Sequence, residues 1–245
     1  MSERILSEFE IRHLQKHGIS IDDIDHYAEM PVEYITGIAE FYGRDFFVSP
    51  ATLIPREESE KMIDLVLQEV AVENKPLCIM DVGTGSGSIG LSIFLELLDR
   101  KIISRLILRD ISSEALEIAR ENIQTLVPAE LAKCITLEEK SLLENLSEVP
   151  DILVANLPYV PSGRIETLPE PVVDYEPLLA LDGGEDGSHL INMLLSQLGD
   201  LSSKPRMIIL EIDETHTIEK FAIPQIFTAQ IITDTYGKNR FLILR

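Results

Sequence analysis

The sequence predicts an α/β fold built on a seven-stranded sheet, in which five parallel strands are followed by a terminal antiparallel hairpin. Two observations predict this fold. Between residues 77 and 211, five short apolar segments alternate with segments of helical periodicity, which is typical of a parallel sheet with helices on both faces. The last two apolar segments are joined by only six residues, so they must pair antiparallel, because a parallel pair needs a long crossover.

Composition favours one large domain and argues against several classes of protein. The 245 residues include 42 Asp and Glu against 21 Lys and Arg, without a local basic patch, which counts against a long nucleic-acid substrate. Cys78 and Cys134 lie in apolar surroundings without metal-ligand spacing, so we expect reduced thiols and no metal. The sequence shows no signal peptide and no uncharged apolar window of 18 residues, which predicts a cytoplasmic protein with no membrane contact.

The elements before the sheet differ from the rest of the chain. Residues 1–30 are expected to form a short helical N-terminal extension, because a partial apolar stripe precedes Gly18. Residues 31–56 are interpreted as a β-hairpin and connector, with Gly43 in the turn. Pro55 and the acidic residues after it mark the start of a helix. The core-facing residues of this helix are predicted to be Met62, Leu65, Val66 and Val70.

The sheet itself can be assigned strand by strand. The predicted parallel strands are Leu77–Val82, Leu106–Asp110, Cys134–Leu137, Ile152–Ala155 and Met207–Glu211. The predicted hairpin strands are Ala229–Thr233 and Arg240–Leu244, joined by residues 234–239. Intervening helices are predicted at 112–126 and 189–198.

A glycine-rich turn follows the first parallel strand and precedes a helix, an arrangement that lets backbone N–H groups approach a ligand. It lacks the Lys-Ser/Thr ending of a P-loop. Asp81 ends that strand, where it can meet a positively charged group of a cofactor. Asp110 ends the second strand, where it can accept both ribose hydroxyls of an adenosine-type cofactor or, alternatively, cap the next helix. The predicted turn residues are Gly83, Thr84, Gly85, Ser86 and Gly87.

A second candidate segment, Asn156 to Tyr159, follows the fourth strand and should reach the same edge of the sheet. The nitrogen of a planar amide or aromatic amine is a poor nucleophile, because its lone pair is delocalised. The Asn156 oxygen and a backbone carbonyl can accept both of its N–H bonds and hold it towards an electrophilic carbon. Pro158 fixes the direction of the preceding carbonyl, and Tyr159 offers a ring for stacking. The alternative is an ordinary Asn-x-Pro turn.

These features resemble the class I (Rossmann-like) S-adenosylmethionine-dependent methyltransferases. They are most similar to the HemK-like family, which methylates a glutamine side-chain amide in peptide chain release factors. The resemblance spans residues 31–245, and on that basis we expect this range to be the methyltransferase domain. It rests on Asp-x-Gly-x-Gly-x-Gly at 81–87 and Asn-x-Pro-Tyr at 156–159, with further matching segments at 31–37, 53–60, 110–122 and 176–187.

The resemblance implies a protein-glutamine N-methyltransferase whose cofactor is S-adenosyl-L-methionine and whose partner is a release factor with a Gly-Gly-Gln loop. It implies that Asp81 and the turn residues Gly83 to Gly87 line the methionine portion of the cofactor. Asp110 would take the ribose hydroxyls, and Asn156 would lie beside the cofactor.

The same resemblance assigns the acceptor side of the site. Asn156 and the carbonyl of Leu157 or Pro158 would hold the glutamine amide, with Tyr159 stacked nearby. Asn156, Pro158 and Tyr159 are therefore the expected catalytic residues, and Leu157 joins them in binding the substrate.

Departures from the family pattern leave two other functions open. Leu157 stands where the family usually has Pro, and Asn-Leu-Pro-Tyr also occurs in ribosomal RNA adenine dimethyltransferases, so methylation of an adenine amine in RNA or DNA is one alternative. Residues 140–143 lack the acidic residue that the family often places near the cofactor adenine. The extension is shorter than the family's helical N-terminal domain, so docking on a release factor is expected to differ. A cofactor-binding interaction protein without turnover is the second alternative.

Overall fold

The computed structural model describes residues 4–73, 75–102, 105–234 and 236–245, so residues 1–3 of the predicted extension and Thr235 of the predicted hairpin link lie outside it. The described strands are β1 (Ile38–Phe41), β2 (Arg44–Phe47), β3 (Cys78–Val82), β4 (Arg105–Asp110), β5 (Ile135–Glu139), β6 (Ile152–Ala155), β7 (Met207–Glu211), β8 (Ala229–Thr233) and β9 (Asn239–Leu244). The described α-helices are α1 (Glu8–Lys16), α2 (Val32–Thr36), α3 (Glu60–Glu69), α4 (Ser88–Asp99), α5 (Ser113–Leu126), α6 (Glu170–Tyr175) and α7 (His189–Gly199). No helix among the described residues is long and apolar enough to cross a membrane.

Strands β3 to β9 form one sheet in the spatial order β5-β4-β3-β6-β7-β9-β8. Strands β3 to β7 pair in parallel, whereas β9 pairs antiparallel with both β7 and β8. The predicted parallel sheet and terminal hairpin are therefore confirmed. Strands β6, β7 and β8 have the predicted bounds. The other four differ by one or two residues, and the largest difference is that β5 continues to Glu139.

Helices cover both faces of this sheet. On one face, α3 and α4 bury side chains such as Met62 and Phe94 against Ile79 of β3. On the other face, α7 buries Leu194 against Met80. Strand β3 lies between β4 and β6 and is buried at every position, so Asp81, the polar residue just before its last position, is held in dry surroundings.

The predicted stripe of helix α3 is confirmed, because its members Met62, Leu65, Val66 and Val70 are all buried. The helix begins at Glu60, after a short 3-10 turn over Glu57–Ser59 that follows Pro55. That turn buries Ser59 and brings it to the edge of the sheet where the parallel strands end.

The described N-terminal residues contain two short helices. Helix α1 begins with a capping box in which the side chains of Ser7 and Glu10 each accept a hydrogen bond from the other's backbone N–H. A 3-10 helix over Ile21–Tyr27 follows. Leu14 of α1 packs in one buried cluster with Val32 of α2, so this helical segment rests on the residues that lead into the hairpin.

The predicted hairpin is formed by β1 and β2, which pair antiparallel around Tyr42 and Gly43. Both turn residues have positive φ, 48° and 71°, as a tight type I′ turn requires. The buried Asn122 of α5 accepts from the Phe47 N–H and donates to the carbonyls of Phe47 and Ser86. One amide side chain thus fastens the hairpin to the glycine turn.

Candidate active site

A cavity of about 500 Å³ opens where the parallel strands end. Its walls bring together most of the residues singled out in the sequence, namely Gly83, Thr84, Gly85, Ser86, Asp110, Asn156, Leu157 and Pro158. Asp81 and Gly87 are buried behind the wall and do not line it. Tyr159 lines a neighbouring cavity of about 480 Å³, and Asn156 lies on the wall between the two.

The glycine turn has the backbone geometry that its residues predict. Gly83, Gly85 and Gly87 all have positive φ, and the N–H groups of Gly83 and Thr84 donate to the carbonyl of Arg109 on β4. A side chain at position 83 would place its Cβ 3.0 Å from the Leu157 side chain. Gly83 is therefore required because the turn and the segment after β6 approach each other so closely.

The side chain of Asp81 lies beneath the glycine turn, where it accepts hydrogen bonds from the protein, and it does not reach the surface of the cavity. Its Oδ2 accepts from the Thr84 hydroxyl at 2.8 Å and from the Gly90 N–H at 2.9 Å. Its Oδ1 is buried without a hydrogen-bond partner in the described part of the chain. Burial raises the pKa of Asp81 to about 6, and those two hydrogen bonds oppose the shift. A nearby positive group would stabilise the ionised form.

Asp110 lies on the cavity wall and holds the turn in place. Its Oδ2 accepts from the Gly85 N–H at 2.9 Å and its Oδ1 from the Ser112 N–H at 3.0 Å. The alternative role as helix cap is wrong, because the N-cap of α5 is Ser112, whose hydroxyl accepts from the Ala115 N–H. A carboxylate has about four acceptor sites, so two remain for a ligand in the cavity.

The side chain of Asn156 is oriented by a chain of hydrogen bonds. Buried Glu211, at the end of β7, accepts from the hydroxyls of Ser59 and Tyr159 at 2.5 and 2.8 Å. Ser59 donates its only hydroxyl proton to Glu211. The Ser59 oxygen therefore accepts a hydrogen bond from Asn156 Nδ2, at 3.3 Å. The Asn156 Nδ2 group is thereby directed at Ser59, which leaves the Asn156 oxygen as the acceptor that this amide can offer to a ligand.

Burial dominates the electrostatics of this network. Desolvation raises the pKa of Glu211, while the hydrogen bonds from Ser59 and Tyr159 oppose that shift. Burial and the neighbouring Glu211 carboxylate hold the pKa of Tyr159 well above its usual range, so its hydroxyl stays protonated and donates. Tyr159 is therefore a fixed, uncharged ring in the wall of the second cavity.

Two further segments support the site from outside. Arg56, beside Ser59, forms an ion pair with the buried Glu176, which joins residues 53–60 to residues 176–187. In the latter segment, a Cβ at Gly183 would lie 2.8 Å from the Pro158 carbonyl oxygen, so only glycine fits there. The carbonyls after Asn156 are thus packed against a second glycine-containing segment.

Sequence reasoning assigned no role to Ser59 or Glu211. Glu211 carried a signal that could have been used, since it is an acidic residue at the carboxyl end of a parallel strand, as Asp110 is. Ser59 carried none beyond its position in the segment 53–60, because a serine in an acidic helix start is ordinarily a cap. Its hydroxyl instead contacts residues that are distant in the sequence.

Comparison with known proteins identifies similar chains. No protein-family model matches the sequence. The chain is 32% identical over 227 residues to the release factor glutamine methyltransferase of Bacillus anthracis, covering 89% of this chain and 77% of that protein. It is 37% identical over 224 residues to the enzyme of the same name from Moorella thermoacetica, covering 89% and 76%.

Solved structures agree on the fold. A methyltransferase from Pyrococcus furiosus is similar with a TM-score of 0.54 and 13% identity, covering 97% of this chain and 98% of that one. The catalytic domain of hMettl16, solved with the MAT2A 3′UTR hairpin 6, gives a TM-score of 0.61 at 13% identity, covering 87% and 78%. At this identity the likeness establishes the fold alone, and it confirms the predicted class I methyltransferase architecture.

Proposed function

The chain belongs to the release factor glutamine methyltransferase family, and we propose that it methylates the glutamine amide in the Gly-Gly-Gln motif of a peptide chain release factor in the cytoplasm. The methyl donor would be S-adenosyl-L-methionine. The observation that carries the proposal is the orientation of Asn156, whose oxygen is held as an acceptor on the wall between two cavities. A side-chain amide presents the two N–H bonds that such an acceptor and a neighbouring backbone carbonyl can bind.

The larger cavity fits the proposed donor. When bound, S-adenosyl-L-methionine supplies a methyl group on a positively charged sulfur. Asp110 has acceptor sites left for ribose hydroxyls, and the turn from Gly83 to Ser86 offers backbone close to the ligand. Asp81 does not line this cavity, but its buried, half-satisfied carboxylate lies beneath the turn, from where its negative charge would favour the positive amino-acid end of the donor.

The second cavity suits the glutamine side chain. Asn156 and the carbonyl of Leu157 or Pro158 would accept the two N–H bonds, which points the amide nitrogen at the first cavity and stabilises positive charge as the new C–N bond forms. Tyr159, held by Glu211, would pack its ring on the planar amide. The amide loses one proton after transfer.

The affinity for the donor is expected to fall at low pH, because protonation removes the negative charge of Asp81. Its pKa in the unliganded protein is about 6, raised by burial, and a bound cation favours the ionised form. If only that form binds, the dissociation constant for S-adenosylmethionine should be about tenfold higher at about pH 5 than above pH 7. Calorimetry at both pH values measures it. Asp81→Asn should remove this pH dependence, and an equally steep dependence in that variant would contradict the role of Asp81.

The proposed function is tested with labelled S-adenosylmethionine and two acceptors, a release factor and ribosomal RNA. Label in the release factor is expected, because the 32% identity to the Bacillus anthracis enzyme and the matched segments favour a protein substrate, and the net charge of −21 opposes RNA. Label in the RNA instead would support the adenine alternative. Donor binding without transfer to either acceptor would support the interaction protein.

A further inference from the structure

Two histidines and a glutamate meet where helix α1 packs against the hairpin, and none of the three lines either of the cavities described above. His13 and His17 are four residues apart on α1 and its C-cap, so they share one face of the helix. Glu40 comes from β1. One potential ligand atom from each residue lies within 4.8 Å of the other two.

One ring nitrogen of each histidine is buried without a hydrogen-bond partner in the described part of the chain. His13 Nδ1 and His17 Nε2 are both buried and have no hydrogen-bond partner in the part of the chain that the structure describes. His13 itself is only 3% exposed. A buried polar atom without a hydrogen-bond partner destabilises a folded protein, so two such atoms beside a carboxylate require an explanation.

The hydrogen bonds of Thr36 determine which His13 nitrogen carries the proton. The Thr36 hydroxyl has a single proton, and when it donates that proton to the Val32 carbonyl, 3.0 Å away, its oxygen accepts from His13 Nε2 at 2.9 Å. The proton therefore sits on Nε2, and the lone pair on Nδ1 faces the cluster. In metal sites, a histidine ligand is ordinarily oriented by such a hydrogen bond, made by the ring nitrogen that does not bind the metal.

The charges around the cluster favour a cation. Lys16 bridges Glu40 Oε1 and Asp45 Oδ1, at 2.8 Å each, so two carboxylates surround one ammonium group. That arrangement leaves Oε2 of Glu40 for another ligand. Two neutral imidazoles and one carboxylate are a donor set typical of Zn²⁺, with a water molecule to complete a tetrahedron.

We propose that His13, His17 and Glu40 bind one Zn²⁺ ion, which clamps helix α1 to the β1–β2 hairpin. The sequence does not predict this site, because its third ligand, Glu40, lies on a different element from the two histidines. The site is independent of methyl transfer, so its failure would leave the proposed function untouched. Its role is to order the N-terminal helix on the hairpin that Asn122 fastens to the glycine turn.

The experiment uses the full chain without a histidine tag, stripped with a chelator and titrated with zinc chloride by calorimetry. One equivalent of Zn²⁺ is expected to bind, and binding should raise the midpoint of thermal unfolding. His17→Gln and Glu40→Gln should each weaken binding at least about tenfold. The exposed Glu40 is the safer of the two variants for folding, which circular dichroism checks.

His26→Gln is the matched control, because His26 is an exposed histidine near the same helix whose Nδ1 contacts only the Asp23 carbonyl. It should bind Zn²⁺ as the unmodified protein does. Absence of stoichiometric binding by the unmodified protein would overturn the proposal. So would equal affinity in the unmodified protein, His17→Gln and Glu40→Gln, since the ion would then be held elsewhere.

Discussion

Replacing Asn156 with alanine is expected to lower the rate of methyl transfer about a hundredfold or more, while the affinity for S-adenosylmethionine changes less than about threefold. In the proposed function, the Asn156 oxygen accepts from the substrate amide, and the hydrogen bonds of Ser59 with Glu211 and with Asn156 orient that oxygen. Without it, the amide nitrogen is no longer oriented and the charge that builds on it is not stabilised. Single-turnover kinetics with a release factor measure the first quantity, and calorimetry measures the second.

Ser59 provides a graded control for this prediction. Ser59→Ala keeps Asn156 but removes the hydrogen bond that orients its amide, so a loss of about tenfold is expected, the equivalent of one hydrogen bond. Ser59→Thr keeps the hydroxyl and should retain most of the rate. Turnover at the unmodified rate in Asn156→Ala would rule out Asn156 as the acceptor-binding residue.

Replacing Asp110 with alanine is expected to weaken binding of S-adenosylmethionine about tenfold or more. Two effects add in this variant. The ribose hydroxyls lose charge-assisted hydrogen bonds, and the Gly85 N–H loses the acceptor that holds the turn in its binding conformation. Calorimetry with S-adenosylmethionine or its demethylated product measures the change.

Ser112→Ala is the control, because Ser112 is the residue that caps α5. That variant should lose about 1 kcal/mol of unfolding free energy while the affinity for the donor stays unchanged. Equal affinity in Asp110→Ala and the unmodified protein would show that Asp110 neither binds the ribose nor holds the turn in a conformation needed for binding. A large loss of affinity in Ser112→Ala would point to the helix start instead.

The sheet could be predicted because its pattern is local. Each buried parallel strand is a short apolar run, and the short link before β9 leaves only an antiparallel pairing. The same locality placed Asp110 and Asn156 at one edge, since both follow parallel strands. The exact ends of some strands differ from the prediction, because adding or removing one residue at an end does not change the apolar pattern.

The contacts that orient these residues could not be predicted, because they join distant parts of the chain. Ser59 lies 97 residues from Asn156, and Glu211 lies 52 residues from Tyr159. No spacing rule relates such positions. They meet only because the segment before α3 packs against the edge of the sheet where β6 and β7 end. The cluster of His13, His17 and Glu40 could not be predicted for the same reason, because Glu40 comes from a different element.

The most direct test of the account is mass spectrometry of a release factor incubated with the protein and S-adenosylmethionine. The predicted result is one added methyl group on the side-chain amide of the glutamine in the Gly-Gly-Gln motif, present with the unmodified protein and nearly absent with Asn156→Ala. A methyl group on any other residue, or none on a release factor under conditions in which the donor binds, would contradict the account.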